Sequence, residues 1–190
     1  MAEIVVFHHA QGLTDGMRAF AGRLHDAGHH VHLPDVFDGR TFDDLEAGVA
    51  HAREIGFGKV TERGVRAVES LPTEIVYAGF SMGVMPAQKL AQTRPRALGA
   101  LFFDACLPVS EFGEAWPQNL PVQVHGGSDD EWFDEDLAAA RELVAAAGDA
   151  ELFLYPGTAH LFADSSLAGH DESATGDLTE RTLTFLDRLS

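Results

Sequence analysis

Short apolar runs alternate along the chain with longer segments in which apolar positions recur every three or four residues. The runs are rich in β-branched and aromatic residues, which is typical of strands buried on both faces, and the second run is the most polar. The predicted strands cover residues 4–7, 28–33, 74–78, 97–103, 121–125 and 151–155. The helical spacing predicts helices over residues 15–27, 82–93, 134–147 and 173–189, and two more within 42–70, broken near 56–58.

This alternation predicts a single α/β domain over residues 1–190, with helices on both faces of a doubly wound, mostly parallel sheet. Sheets of this kind bind ligands beyond the carboxyl ends of their strands. Reactive residues that directly follow predicted strands are therefore the first candidates for a functional site.

Composition and charge narrow the choice of partners and compartment. The chain carries 13 Lys and Arg against 30 Asp and Glu, a net charge of −17, which makes nucleic acid and anionic membrane surfaces unsuitable partners. Cys106 is the only cysteine, so no intrachain disulfide can form, which suits a reducing compartment. The first residues do not have the pattern of a secretory signal, and no apolar stretch approaches the ~18 residues of a membrane span. The sequence therefore predicts a cytoplasmic protein.

The strongest chemical signal is the segment from Gly79 to Gly83, which matches G-x-S-x-G between a predicted strand and a predicted helix. This is the context of a nucleophile elbow, a turn so tight that larger residues at the two glycine positions would clash with neighbouring backbone. The turn lifts the hydroxyl of Ser81 above the sheet, next to the N-terminus of the following helix. The structural alternative is an ordinary junction with a serine N-cap. The flanking elements favour a catalytic serine.

A serine hydroxyl is a good nucleophile only when a base takes its proton and an acid orients that base. In folds with this elbow, the acid and then the histidine follow the serine along the chain. Asp129 follows the fifth predicted strand, and His160 follows the sixth behind a Pro-Gly turn. We therefore predict a triad of Ser81, Asp129 and His160. Asp130, the next residue, and Asp104, after the fourth strand, are the alternative acids.

Negative charge that develops on a carbonyl oxygen requires backbone N–H donors aimed at it. We expect one donor from Met82, directly after the serine. The second should come from the loop after the first strand, residues 8–12, where Ala10 or Gln11 is the candidate. His9 is expected to line the site beside that loop.

The ten histidines also raise the question of a metal site. Adjacent pairs such as His8 with His9 point to opposite faces of a strand and cannot readily share one ion. Neither H-E-x-x-H nor a Cys/His set is present, and no metal is expected. Because G-x-G-x-x-G and P-loop motifs are also missing, no nucleotide cofactor is expected.

Taken together, four segments resemble the dienelactone hydrolase family over nearly the full length of the chain. They are residues 8–12, His-His-Ala-Gln-Gly; 79–83, Gly-Phe-Ser-Met-Gly; 125–129, His-Gly-Gly-Ser-Asp; and 155–162, Tyr-Pro-Gly-Thr-Ala-His-Leu-Phe. The last segment is the most specific to the family. The resemblance implies a cap-less α/β-hydrolase fold, hydrolysis of small esters or lactones, and no cofactor.

Two positions depart from that family. Its name-giving enzymes use a cysteine nucleophile and carry an arginine, four residues after the catalytic histidine, that helps hold a substrate carboxylate; Ser81 and Asp164 stand here instead. Asp164, the net negative charge and a set of apolar loop residues lead us to expect neutral, fairly apolar substrates. Arg40 is the residue that could reverse this preference. The apolar loop residues are Phe37, Phe112, Trp116, Trp132 and Phe162.

The sequence thus predicts a serine esterase or lactone hydrolase that works through an acyl-enzyme. The side chains expected to bind substrate are His9, Gln11, Phe37, Trp116 and Phe162. A thioesterase or acyltransferase on the same triad is the alternative enzyme. A non-catalytic binding protein with the same fold is the alternative outside catalysis.

Overall fold

Six parallel strands form one sheet in the order β2-β1-β3-β4-β5-β6, in a computed structural model that describes residues 1–190. The strands are β1 (Glu3–Phe7), β2 (His30–His32), β3 (Val76–Phe80), β4 (Gly99–Phe103), β5 (Val122–Gly127) and β6 (Ala150–Tyr155). The strand order reverses at β1, because β2 lies on one side of it and β3 on the other. Doubly wound sheets bind their ligands at such a reversal, which here lies beyond the carboxyl ends of β1 and β3.

Seven helices connect or follow the strands. They are α1 (Asp15–Asp26), α2 (Leu45–Ile55), α3 (Phe57–Ala67), α4 (Val84–Thr93), α5 (Glu131–Asp134), α6 (Leu137–Ala146) and α7 (Glu172–Arg188). Several begin at a polar N-cap: the side chains of Thr14, Asp44 and Asp171 accept hydrogen bonds from amides in the first turn of α1, α2 and α7. None of the seven combines the length and hydropathy that a crossing of the bilayer requires.

The core is divided between the two faces of the sheet. On one face, α4 and α6 cover the sheet with residues such as Leu90 and Leu143. On the other face, α1 and α7 do so with Phe20 and Phe185. Successive strand residues supply the two sides in alternation, as the pleat requires. Apolar strands covered on both faces account for the near-continuous hydrophobic runs in the sequence.

A third, smaller cluster lies over the carboxyl end of the sheet, where α2 and α3 pack on the loops that follow β1 and β2. It contains Ala10, Phe37, Ala52, Val60 and Met82. Two of these, Ala10 and Met82, belong to the segments predicted to hold an oxyanion. The cluster therefore buttresses the candidate site from the α2–α3 side.

The elements largely follow the sequence predictions, and two differences matter for function. Strand β5 runs on to Gly127, because Gly126 and Gly127 still pair with Leu154 and Tyr155 of β6. Glycine is a poor strand former, so the sequence predicts a turn at Gly126 and Gly127. The helix predicted over 134–147 forms as α6, and a separate short helix that was not predicted, α5, precedes it.

Candidate active site

Ser81 lies immediately after β3, in a single 3-10 turn that leads into α4. Its backbone has φ +48°, a left-handed conformation that costs free energy in a residue with a side chain. A Cβ at Gly79 would overlap the carbonyl of Gly83, and a Cβ at Gly83 would overlap the carbonyl of Phe7. The two glycines of G-x-S-x-G are therefore required by close backbone approach, as a nucleophile elbow demands.

Three side chains form a hydrogen-bonded chain at the carboxyl edge of the sheet. Nε2 of His160 lies 2.9 Å from Oγ of Ser81, and Nδ1 of His160 lies 2.6 Å from a carboxylate oxygen of Asp130. The side chains of His160 and Asp130 are 7 % and 1 % exposed, so bulk water does not compete for these bonds. A carboxylate such as that of Asp130 can only accept a hydrogen bond, so Nδ1 of His160 carries the proton. Nε2 is then free to accept a hydrogen bond from the hydroxyl of Ser81.

The carboxylate that is hydrogen-bonded to His160 belongs to Asp130, the alternative acid, and not to Asp129 as predicted. Asp129 is exposed, and its carboxylate accepts a hydrogen bond from the hydroxyl of Ser128 instead. The physical reason is the longer β5: the strand ends at Gly127, so the turn after it is shifted along the chain. Asp130 then turns inward as the N-cap of α5, where its second oxygen accepts from the amide of Trp132 at 3.0 Å.

The surroundings of His160 favour its protonated form. Burial by itself lowers the pKa of the imidazole, but the hydrogen bond to Asp130 and the charges of Asp104, Asp130 and Asp136 outweigh that effect, and the net pKa is raised. The ring can therefore accept a proton from a neighbouring hydroxyl more readily than an isolated histidine. This is the property that a general base requires.

The loop after β1 contains both candidates for the second oxyanion donor, Ala10 and Gln11. Their hydrogen bonds distinguish them. The amide of Gln11 donates to Nδ1 of His9 at 3.2 Å, so it is already engaged. The amide of Ala10 has no acceptor within the protein. Helix α2 holds this loop closely, because a Cβ at Gly48 would overlap the carbonyl of Ala10. Of the two candidates in this loop, the amide of Ala10 is therefore the one that is not already engaged.

His9 is fully buried and does not line the site, contrary to the prediction. Its Nε2 donates to a carboxylate oxygen of Asp164 at 2.8 Å, and Thr14 donates to the same oxygen. Ser166 donates to the other oxygen of Asp164 from both its amide and its hydroxyl. Burial would raise the pKa of Asp164, but the hydrogen bonds from His9, Ser166 and Thr14 lower it to about 2.

The other four side chains predicted to bind substrate also lie in the interior. Gln11 donates to the carbonyl of Phe42, and Phe37 packs in the third cluster. Trp116 packs in the α4–α6 side of the core and donates its indole N–H to Leu120. Phe162 is also buried, in the α1–α7 side of the core. For the three aromatic residues, apolar type and loop position do not distinguish a core residue from a substrate contact.

Trp132 is the aromatic side chain that the structure brings to the surface beside the triad. Its indole is 46 % exposed, and its ring centre lies 5.9 Å from that of His160. It was among the apolar loop residues of the sequence, but its place was not predicted because α5 was not. Its position two residues after Asp130 is the signal in the sequence that could have indicated this place.

Two further groups bear on the chemistry. Cys106 is fully buried, and burial together with the carboxylate of Asp136 raises the pKa of its thiol to about 12, so it is no alternative nucleophile. Asp104, the other alternative acid, is buried after β4 and makes no hydrogen bond to His160 through its side chain. No three His, Cys, Asp or Glu side chains come together in an arrangement that could hold a metal ion.

Known proteins with the same fold and a related sequence support the family resemblance. The chain is 28 % identical to the carboxymethylenebutenolidase of Rhodococcus opacus over 206 residues, which cover 97 % of this chain and 80 % of that protein. A dienelactone hydrolase-like promiscuous phosphotriesterase from metagenomic libraries has a similar structure, with a TM-score of 0.76, 20 % identity, and coverage of 100 % of this chain and 87 % of that one.

A dienelactone hydrolase from Anabaena variabilis is similar at a TM-score of 0.69 and 17 % identity, over 98 % of this chain and 86 % of that one. At such identities, these two structures establish the α/β-hydrolase fold alone. The profile of the dienelactone hydrolase family matches residues 1–190. With its relatives and its fold in agreement, the chain belongs to the dienelactone hydrolase family, whose type of reaction is the hydrolysis of esters and lactones.

Proposed function

We propose that this protein is a serine hydrolase of small, neutral carboxylic esters or lactones, in which Ser81 is the nucleophile, His160 the base and Asp130 the acid. The observation that carries the proposal is the unbroken chain of hydrogen bonds from Asp130 through His160 to Ser81. The strained backbone at Ser81 is further support, because such strain is found where a fold must present a reactive group.

The reaction follows from the positions of these atoms. His160 takes the hydroxyl proton at Nε2 while Oγ of Ser81 bonds to the carbonyl carbon, and the amides of Met82 and Ala10 hold the oxygen that gains the charge. The protonated imidazole then gives its proton to the departing alkoxide, leaving an acyl group on Ser81. His160 then takes a proton from water while the water oxygen bonds to the acyl carbon. The imidazolium gives this proton to Oγ of Ser81 as the bond to the acyl group breaks, and the carboxylic acid is released.

The side chains around the triad favour apolar substrates. The exposed indole of Trp132 offers an apolar surface beside His160 for the acyl or alcohol part of an ester. Asp164 does not repel anionic substrates directly, because its carboxylate is buried and satisfied by His9, Thr14 and Ser166. Asp164 matters instead because it occupies the position of the arginine that holds a substrate carboxylate in the name-giving enzymes.

A fluorophosphonate probe tests the proposed nucleophile, since it forms a stable bond only with an activated serine. We expect covalent labelling of the wild-type protein, located on the peptide that contains Ser81. The variant Ser81→Ala should not be labelled. Ser128→Ala, which removes an exposed hydroxyl from the turn before Asp130, is the matched control and should be labelled like the wild type.

Two results would count against the proposal. If the wild-type protein is not labelled, Ser81 is not activated, and a binding role for the fold becomes the better account. If Ser81→Ala is labelled as strongly as the wild type, the reactive group lies elsewhere in the chain.

A further inference from the structure

Asp104 has two energetically unfavourable features at once. It is only 2 % exposed, yet neither oxygen of its carboxyl group has a hydrogen-bond partner within the protein. Its backbone also has φ +58°, the left-handed region that side chains rarely adopt. A buried carboxyl without hydrogen-bond partners and a left-handed backbone are both energetically unfavourable. Such costs persist in natural proteins mainly where a function requires them.

The position of Asp104 in the sheet connects it to the triad. It directly follows β4, the strand between β3, which leads to Ser81, and β5, which leads to Asp130. Its amide donates to the carbonyl of His125 in β5 at 2.7 Å, which holds the residue at this edge. The carboxyl group therefore lies at the carboxyl edge of the sheet, between the strands that present the nucleophile and the acid.

We propose that Asp104 is a second carboxyl group for His160, a positioning residue that stabilises the imidazolium formed when Ser81 loses its proton. Asp104 takes no proton from the imidazole and bonds to no substrate atom. It acts through its charge, added to that of Asp130, on one ring. This proposal rests on the proposed function for its kinetic consequence, but the electrostatic relationship itself can be measured without any substrate.

The charged groups around Asp104 fit this role. Burial raises the pKa of Asp104 to about 7, the charge of His160 lowers it and that of Asp130 raises it. In return, the charge of Asp104 is among the effects that raise the pKa of His160. Burial raises the pKa of Tyr155 to about 12, and the negative charge of Asp104 adds to this effect. The carboxyl group of Asp104 and the imidazole of His160 therefore each act on the pKa of the other.

Two substitutions remove the carboxyl charge without disturbing the backbone. Asparagine has the shape of aspartate and tolerates a positive φ, and glycine adopts φ +58° without strain. Asp104→Asn and Asp104→Gly are therefore both suitable, and the second serves if the first does not fold. Asp136→Asn is a graded control, because Asp136 acts on His160 less strongly than Asp104 does. Asp149→Asn is a distant control, since that exposed carboxylate faces Arg188.

The measurement is the pKa of His160, followed by nuclear magnetic resonance of ring-labelled histidines, with the His160 signal assigned by its loss in His160→Gln. We expect Asp104→Asn and Asp104→Gly to lower this pKa by about one pH unit, because a neighbouring negative charge has been removed. Asp136→Asn should lower it less, and Asp149→Asn should leave it unchanged. The acid limb of kcat/KM for a neutral ester should move to lower pH by the same amount.

The proposal is overturned if both Asp104 variants fold and leave the pKa of His160 at its wild-type value. It is also overturned if their activity falls equally at every pH with an unmoved acid limb, since that marks a packing role. The resonance measurement requires no turnover. If the protein has no esterase activity, the proposed function is refuted, but the pKa of His160 in the Asp104 variants still tests this inference.

Discussion

His9 donates a hydrogen bond from Nε2 to Asp164 across 2.8 Å, and solvent reaches neither side chain. The two residues belong to different loops: His9 follows β1, and Asp164 lies four residues beyond His160. The same histidine accepts the amide of Gln11 at its other nitrogen. One imidazole thus links the loop that holds Ala10, a candidate oxyanion donor, to the loop that holds His160, the candidate base. The relative position of the two loops depends on this link.

The first prediction concerns that link. Asp164→Asn should lower kcat by about tenfold to a hundredfold with little change in KM, because a shifted oxyanion loop loses contacts made only in the transition state. Ser166→Ala is the matched control, since it removes a donor to the other oxygen of Asp164 and leaves the bond to His9 in place. Steady-state kinetics with a neutral ester decide this. A change confined to KM, or equal losses in both variants, would contradict it.

Asp164 should also contribute to stability in acid. Its folded pKa of about 2 lies below the ordinary 3.8, so its stabilising contribution is present above pH 3.8 and is lost as the pH falls toward 2. Between about pH 5 and about pH 3, the free energy of unfolding of the wild type should fall by about 1 kcal/mol more than that of Asp164→Asn. Urea unfolding at stepped pH measures this difference. A gap between the two proteins that stays constant over this range would refute the prediction.

The identity of the acid can be tested with two adjacent residues. Asp130→Asn should lower kcat by about 10³- to 10⁴-fold, because an amide no longer fixes the tautomer in which Nε2 of His160 accepts. Asp129→Asn, one position earlier and exposed, should stay within about threefold of the wild type. Esterase assays on both purified variants are sufficient. If Asp129→Asn is the impaired variant, the hydrogen bond to Asp130 does not serve catalysis.

These residues illustrate how far the sequence leads. The elbow at Ser81 could be predicted because its requirements are local: two glycines, a strand before and a helix after. His160 could be predicted from chain order. The acid was misplaced by one residue because Gly126 and Gly127 extend β5, and pairing with a neighbouring strand is invisible in a local pattern. The role of His9 could not be predicted either, because its partner lies 155 residues away.

Substrate charge provides a fourth prediction. A neutral ester should be hydrolysed with a higher kcat/KM than its carboxylate analogue of equal size. The reasons are that position 164 carries Asp and not Arg, and that the protein has a net charge of −17. Arg40 is exposed, and its backbone carbonyl lies close to Gly12 in the loop after β1, so Arg40 is tested as the cation that could reverse this order. The comparison is made at two salt concentrations, since screening weakens long-range repulsion. A preference for the anionic ester that disappears in Arg40→Ala would identify Arg40 as a carboxylate site.

Ser81 is the proposed nucleophile, and the rate of ester hydrolysis by purified Ser81→Ala tests this role. The measurement is kcat/KM for p-nitrophenyl acetate in the variant and in the wild type, with folding of both checked by thermal unfolding. We predict that the wild type hydrolyses the ester and that the folded variant is slower by at least about 10³-fold, because the base and the oxyanion amides have no nucleophile to assist. Turnover by the variant within about tenfold of the wild-type rate would contradict the account.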